Sequence, residues 1–185
     1  EEHHPNFSSI LKEATNTIIE EVTILMNMLS EFSKFARLPE INLQAESINE
    51  IIENCIAMYH DNDKISFVLD LKPDMPPFMC DKTLLRQAFL NIIQNAIEAN
   101  GHVITVSTAY DSQQRALTIA FSDDGVGIPD DEIEKVFEPT FSTKENGMGL
   151  GLAIVEKIII DHKGTIACSS ILKQGTKFTI TIPQQ

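Results

Sequence analysis

The sequence predicts an α/β sandwich, a mixed sheet covered on one face by helices, preceded by one long N-terminal helix. Three observations lead there. A seven-residue apolar repeat stops at Pro39; beyond it, helical and strand patterns alternate without the regular rhythm of a doubly wound fold; and the chain closes on two alternating strands joined by a short turn. At 185 residues and 43% hydrophobic, the chain can bury one substantial core plus a smaller appendage, so it is divided into residues 1–39 and 40–185.

In the first segment Leu11, Ile18, Leu25 and Phe32 recur every seven residues, flanked by Ala14, Met28 and Phe35 and by Val22, Leu29 and Ala36. This is a broad apolar stripe on a helix over residues 6–36, about 45 Å long at ~1.5 Å per residue. A helix so one-sided wants other helices, or else the chain's own second domain, to cover it. After Pro39 the pattern reads as a short strand at 41–46, a helix at 47–60, a strand at 64–71 and a helix at 81–100. Paired strands at 102–110 and 115–122 follow, then an irregular region to about 148, a helix at 149–162 and a hairpin of strands 164–171 and 176–183. Lys173-Gln174-Gly175 suits the turn of that hairpin.

Composition limits the function. A formal net charge of −13 argues against nucleic acid as a partner, because little here would release phosphate counterions. Cys55, Cys80 and Cys168 lack Cys-x-x-Cys spacing and are read as reduced core thiols of a cytosolic domain. No run approaches the ~20 apolar residues of a membrane span, and no signal peptide is visible.

Four segments carry chemistry. Residues 147–152, Gly-Met-Gly-Leu-Gly-Leu, place three alternating glycines where a loop becomes a helix. Glycines let main-chain N–H groups approach a polyanion, and the first-turn N–H groups of a helix have no internal partner. A tight turn would use the same residues. In the apolar helix at 81–100, Asn91 and Asn95 are four residues apart and share one face. They are either a satisfied polar pair or a cation site, with the Asn95 amide oxygen as a ligand suited to Mg²⁺ and Asn91 beside phosphates. Phe121-Ser122-Asp123-Asp124-Gly125-Val126-Gly127-Ile128-Pro129 ends a β-rich run in an acidic, glycine-spaced turn. A carboxylate there can accept from an exocyclic amine while the glycines let the backbone pass a flat ring. Val136-Phe137-Glu138-Pro139-Thr140-Phe141-Ser142-Thr143-Lys144 offers hydroxyls and one cation just ahead of the Gly147 loop. Lys144 is a phosphate contact or a solvated loop lysine.

In this order the four segments resemble the ATP-binding boxes of sensor histidine kinases, in the superfamily that also holds gyrase B, MutL and the large heat-shock chaperone ATPases. The resemblance covers roughly residues 40–183 and implies the Bergerat-type ATP-binding fold, with ATP or ADP and Mg²⁺ as ligands. Asn91 and Asn95 match the asparagine box, Asn95 as the metal ligand with Asn91 beside it. Asp123 matches the aspartate that reads the adenine amino group, and Gly125, Gly127 and Ile128 match the loop around it. Phe137, Thr143 and Lys144 fall in the phenylalanine box and lid. Gly147, Gly149, Leu150, Gly151 and Leu152 form the second glycine box. Thr176 matches the strand position that helps hold the base through water; read alone it is an ordinary β-strand threonine. The acidic charge makes such a protein depend on Mg²⁺, helix-end N–H groups and local cations to hold a polyanion.

Departures from the family pattern refine the expectation. Where the ATP-hydrolysing relatives place a general-base glutamate one turn before the metal asparagine, this chain has Asn91, which cannot take a proton from water and favours a kinase. Glu98 replaces a basic residue common in kinases and, with the short lid, resembles the nitrogen-regulation branch (NtrB and NtrY). That branch implies an NtrC-like response regulator receiver domain as partner. Residues 31–39 resemble the end of the second dimerisation helix, which implies a homodimer through the N-terminal helix in a four-helix bundle. The family's phosphoacceptor is a histidine followed by an acidic residue; His3 and His4 lack that context, and His60, His102 and His162 read as structural or surface residues. The chain is therefore expected to lack the phosphoacceptor helix, and to bind ATP without labelling itself, as the cytosolic part of a sensor that could be membrane-anchored.

Overall fold

The computed structural model describes residues 7–36, 40–143 and 147–184. They fall into two compact units, divided after Pro39. The first contains one helix, α1 (Phe7–Ala36). Its described apolar side chains are exposed, with Ile18, Leu25 and Leu29 each more than 60% accessible. The repeat thus specifies a helix without specifying, within this unit, anything to bury it.

The second unit is an α/β sandwich. Its elements run β1 (Gln44–Glu46), α2 (Ile48–Ala57), β2 (Ser66–Asp70), β3 (Phe78–Cys80), α3 (Lys82–Glu98), β4 (Val103–Asp111) and β5 (Ala116–Asp123). A short helix α4 (Asp130–Ile133), then α5 (Gly151–Asp161), β6 (Thr165–Ile171) and β7 (Gly175–Pro183) complete it. The main sheet has the order β2-β4-β5-β7-β6; β2 pairs parallel with β4 and every other pair is antiparallel. The long strands β4, β6 and β7 alternate, and β5 alternates up to Ile119, after which Ala120 and Phe121 are both buried. On β7, Thr176, Phe178, Ile180 and Ile182 are buried while Lys177, Thr179 and Thr181 are not, so one face of the sheet meets the helices and the other stays polar.

Local chemistry sets the helix ends. Ser47 caps α2 by accepting from the Glu50 N–H, and Asp81 caps α3 by accepting from Thr83 and Leu84, both at 3.0 Å. Asn100, in the left-handed region at φ 59°, turns the chain out of α3 toward β4. The layer between helices and sheet is filled by Leu85, Phe89, Ile92 and Ile93 of α3, Ile154 and Ile158 of α5, and Ile104, Leu117, Ile119 and Phe121 of the strands.

Several boundaries differ from the expected ones. The strand expected at 41–46 is three residues long and pairs antiparallel with β3 in a separate two-stranded sheet. The sequence reading missed β3 because it follows prolines and is too short for a period to show. The helix expected from 149 begins at Gly151, since Gly149 has φ +63° and cannot belong to a right-handed helix.

Candidate functional site

β5 delivers Asp123 at its last residue, beside β7. Its Oδ1 accepts from the N–H of Gly125 at 2.9 Å and of Thr176 at 3.3 Å, so the closing strand and the turn are pinned to one carboxylate oxygen. Burial pushes the Asp123 carboxyl above its ordinary value, and the two N–H groups partly offset this. Asp124 next to it behaves oppositely. It is exposed, and the N–H groups of Val103 and His102, at 2.9 and 2.7 Å, hold its carboxyl below the usual range. The first aspartate is half-buried between the turn and the closing strand; the second fastens the loop to the start of β4.

The following loop is tied down along its length. The Val126 N–H donates to Ala99 O at the end of α3, and the Lys173 N–H donates to Val126 O. The Ile128 N–H donates to Ser170 Oγ at 2.8 Å. Gly127 has φ +71°, and a Cβ there would lie 2.3 Å from Ile171 O, so the approach of loop to hairpin requires glycine. Phe137, half-buried, packs its ring edge-on to Phe178 at 6.2 Å and anchors the chain entering the lid region.

The other end of the site is built where α3 meets α5. Asn91 Nδ2 donates to Gly151 O at 3.2 Å, tying the asparagine helix to the first residue of the glycine helix. Asn95 lies one turn further along the same face, half-buried. A Cβ on Gly151 would meet no atom of the described residues within 4 Å, so among them nothing covers the N-terminus of α5 at this position. Leu150 is buried beneath it and Leu152 is half-buried. The Thr140 N–H donates to Gly149 O at 3.0 Å, closing the neck of the intervening loop. Thr140 itself has φ 72°, a strained conformation for a β-branched residue. Thr143 and Gly147 are exposed on that loop. Lys144 lies outside the described residues, as do His3 and His4.

Direct hydrogen bonds thus join Asp123 with Gly125 and Thr176, and Asn91 with Gly151, at two ends of the α3, α5 and β7 framework. Three further residues were not singled out from the sequence. Ser170 links Ile128 to Thr176, Asp124 fixes the loop, and Thr140 holds the lid neck. Only Ser170, two residues along one strand face from Cys168, could have been placed by pairing β6 with β7 in the hairpin register. Among the described residues no group of three metal-ligating His, Cys, Asp or Glu side chains exists. Burial raises the thiols of Cys55 to about 11, Cys80 to about 12 and Cys168 to about 11.

Residues 80–185 match the family of histidine kinase-, DNA gyrase B- and HSP90-like ATPases. The chain belongs to this family. It is 34% identical over 174 residues to sporulation kinase E of Bacillus subtilis (strain 168), covering 91% of this chain and 23% of that protein. It is 32% identical over 186 residues to the sensory histidine kinase/phosphatase NtrB of Rhodobacter capsulatus, covering 92% of this chain and 52% of that one. Among solved structures, histidine kinase ThkA in complex with response regulator protein TrrA aligns with 100% of this chain and 53% of that chain, at 25% identity and a TM-score of 0.74. The chain spans between about a quarter and a half of the length of these two curated relatives. NtrB is no nearer than the sporulation kinase, so the likeness singles out no nitrogen-regulation branch.

Proposed function

We propose that residues 40–185 are the ATP-binding catalytic domain of a sensor histidine kinase, transferring the γ-phosphoryl of Mg²⁺-ATP to a histidine for relay to an aspartate of a response regulator receiver domain. The observation that carries this reading is the two-ended site. Asp123 and Thr176 sit together at one end, and the Asn91–Gly151 bond marks an open helix N-terminus at the other. The residues fit the ligand's chemistry. Asp123 has its Oδ1 saturated by N–H donors and offers Oδ2 to an amine; with Asn91 Nδ2 committed to Gly151, Oδ1 is the atom left for a cation, beside Asn95. The first-turn N–H groups of α5, approached through Gly147, Gly149 and Gly151, suit phosphate. When bound, Mg²⁺-ATP supplies the transferable phosphoryl group and the cation that offsets its charge.

Asn91 stands where water would need a base and has no group to accept a proton, which favours transfer over hydrolysis. The phosphoacceptor we place on a helix other than those described. His162 is 0% exposed, with Nδ1 bonded to Ile158 O and Nε2 accepting from Asp81 N–H; His60 and His102 are exposed around the sheet end. We read α1 as half of a dimerisation hairpin, its exposed apolar stripe meeting a second copy. The receiver is read as NtrC-like on Glu98 and the short lid alone. Among the described residues no helix is long and apolar enough to cross a membrane; we place the domain on the cytosolic side, where ATP is supplied.

Calorimetric titration with ATP and ADP, with and without Mg²⁺, tests the binding half, and failure to bind either nucleotide overturns it. Labelled ATP tests the transfer half. The chain alone should remain unlabelled, whereas extending it at the N-terminus by a helix bearing a His-acid motif should give acid-labile, base-stable phosphohistidine. Rapid phosphate release without labelling would instead make the protein an ATPase.

A further inference from the structure

Ser170 lies opposite Thr176 in the β6–β7 register, and its Oγ has three polar neighbours. These are the Ile128 N–H at 2.8 Å, the Gly175 carbonyl at 2.8 Å and Thr176 Oγ1 at 3.0 Å. A hydroxyl carries one proton and two lone pairs. The Ile128 N–H can only donate and the Gly175 carbonyl can only accept, so the Ser170 proton goes to Gly175. One lone pair then takes the Ile128 N–H, and the bond to Thr176 forms only if Thr176 donates. The direction of the Thr176–Ser170 bond is therefore fixed by the groups around it. Thr176, only 5% exposed, has no proton left to offer elsewhere, and its oxygen presents lone pairs alone. Asp123 beside it is also an acceptor, with Oδ1 already filled by the N–H groups of Gly125 and Thr176.

We propose that Ser170 is a positioning residue for base specificity: by holding Thr176 as an acceptor beside Asp123, it makes the pocket select a purine edge that carries an amine and reject a 6-oxo edge. This rests on the reading of Asp123 and Thr176 as the base-facing pair. An amine, or a water that donates into the pair, satisfies both acceptors. At position 6 an oxo group sets lone pair against lone pair, and the one N–H that such a purine offers on this edge, at N1, can satisfy at most one of the two acceptors, so a buried polar group is left unpaired and discriminates. Ser170 does this without touching the base. Remove its hydroxyl, and the Thr176 proton is released to turn toward the ligand.

The test compares Mg²⁺-ATP with Mg²⁺-inosine triphosphate, which replaces the amine by an oxo group without adding bulk, by calorimetry on the full chain. The parent should prefer ATP. Ser170→Ala should reduce that preference roughly three- to tenfold, the value of about one hydrogen bond, largely through better inosine triphosphate binding. In a Thr176→Val background the same substitution should leave the ratio unchanged, because the proton it would release is absent. Ser170→Cys, with a weaker donor and acceptor of similar shape, should shift the ratio the same way by less, and keeps the test open if Ser170→Ala does not fold. Equal loss of affinity for both nucleotides, with the parental ratio kept, would mean that Ser170 only supports the loop and would overturn the inference. A parent that binds neither nucleotide, or both equally, overturns the role of Asp123 first and the inference with it.

Discussion

The Asp123–Ile128 loop and the Gly147–Gly151 loop are both glycine-spaced, yet glycine serves different ends in them. In the first, a Cβ on Gly127 would strike Ile171 O at 2.3 Å, and the loop is bonded to α3, β4 and the β6–β7 hairpin. In the second, Gly151 has open space around it among the described residues, and Asn91 Nδ2 donates to its carbonyl. One loop needs glycine to fold. The other needs it to fold at Gly149, where φ is +63° and a Cβ would lie 2.4 Å from Phe141 O, but not at Gly151. The same spacing thus records packing throughout the first loop, and in the second both packing, at Gly149, and an uncrowded position, at Gly151.

Gly127→Ala should produce the largest effect on stability. With φ +71° and a main-chain oxygen in the way, it should lower unfolding free energy by about 3 kcal/mol or more, read from the urea midpoint. An unchanged midpoint would remove the packing role assigned to that loop.

Asp123→Asn should separate function from stability at the same end. The amide presents a donor to a donor, so ATP affinity should fall roughly ten- to hundredfold, about 1–3 kcal/mol, while the parent should bind GTP poorly. Fold stability at neutral pH should hold or rise. Burial raises the Asp123 pKa, so its charged form costs stability once pH exceeds the unfolded value, and that cost is relieved as pH falls through the folded value. The Asn oxygen keeps the Gly125 and Thr176 bonds without the charge. Calorimetry paired with thermal melts at pH 7 and at pH 4–5, about the ordinary carboxylate range, reads both effects. A mutant that loses stability as well as affinity would make Asp123 a folding residue.

At the proposed phosphate end, Asn95→Ala should remove the Mg²⁺-dependent part of ATP affinity, about tenfold or 1.4 kcal/mol. Affinity measured in Mg²⁺ and in chelator checks this; an undiminished Mg²⁺ effect sinks the assignment.

The far end of α5 offers a control. His162 is buried neutral, linking Ile158 O to the Asp81 N–H, and burial lowers its pKa. Stability should therefore decline as pH falls below the ordinary histidine value of 6.5, by at most about 1.4 kcal/mol per pH unit. Urea unfolding at pH 7.5 and pH 5.5, about one unit either side of that value, should lose this slope in His162→Gln. A slope that persists in the variant would assign the pH dependence elsewhere.

Gly151→Ala should have the smallest effect on folding, within about 0.5 kcal/mol of the parent or slightly stabilising, because Ala favours the helix. Its ATP affinity should nonetheless fall. Loss of stability without loss of affinity would reverse the comparison between the two loops.

Much of this was legible because the signals are local. Asn91 and Asn95 share a face by spacing alone, and the paired strands and their hairpin follow from period-two alternation. The short strand β3, with its antiparallel pairing to β1, was not legible because three residues cannot establish a period and because its partner lies more than thirty positions away. Nor could the sequence divide the work between Asp123 and Asp124. The two are adjacent and chemically identical, and their opposite pKa shifts arise from burial at Asp123 and from the N–H groups of Val103 and His102 at Asp124.

The sequence by itself determined the elements longer than four residues, the order of the four boxes and the one-sided character of α1, since each depends on residues within a few turns or a single strand. Only the tertiary structure decided that Ser170 governs the Thr176 hydroxyl, that Gly127 is sterically required while Gly151 is not, and that α5 begins at Gly151. Those outcomes depend on hydrogen-bond counts and contacts between segments tens of residues apart, which no local pattern encodes.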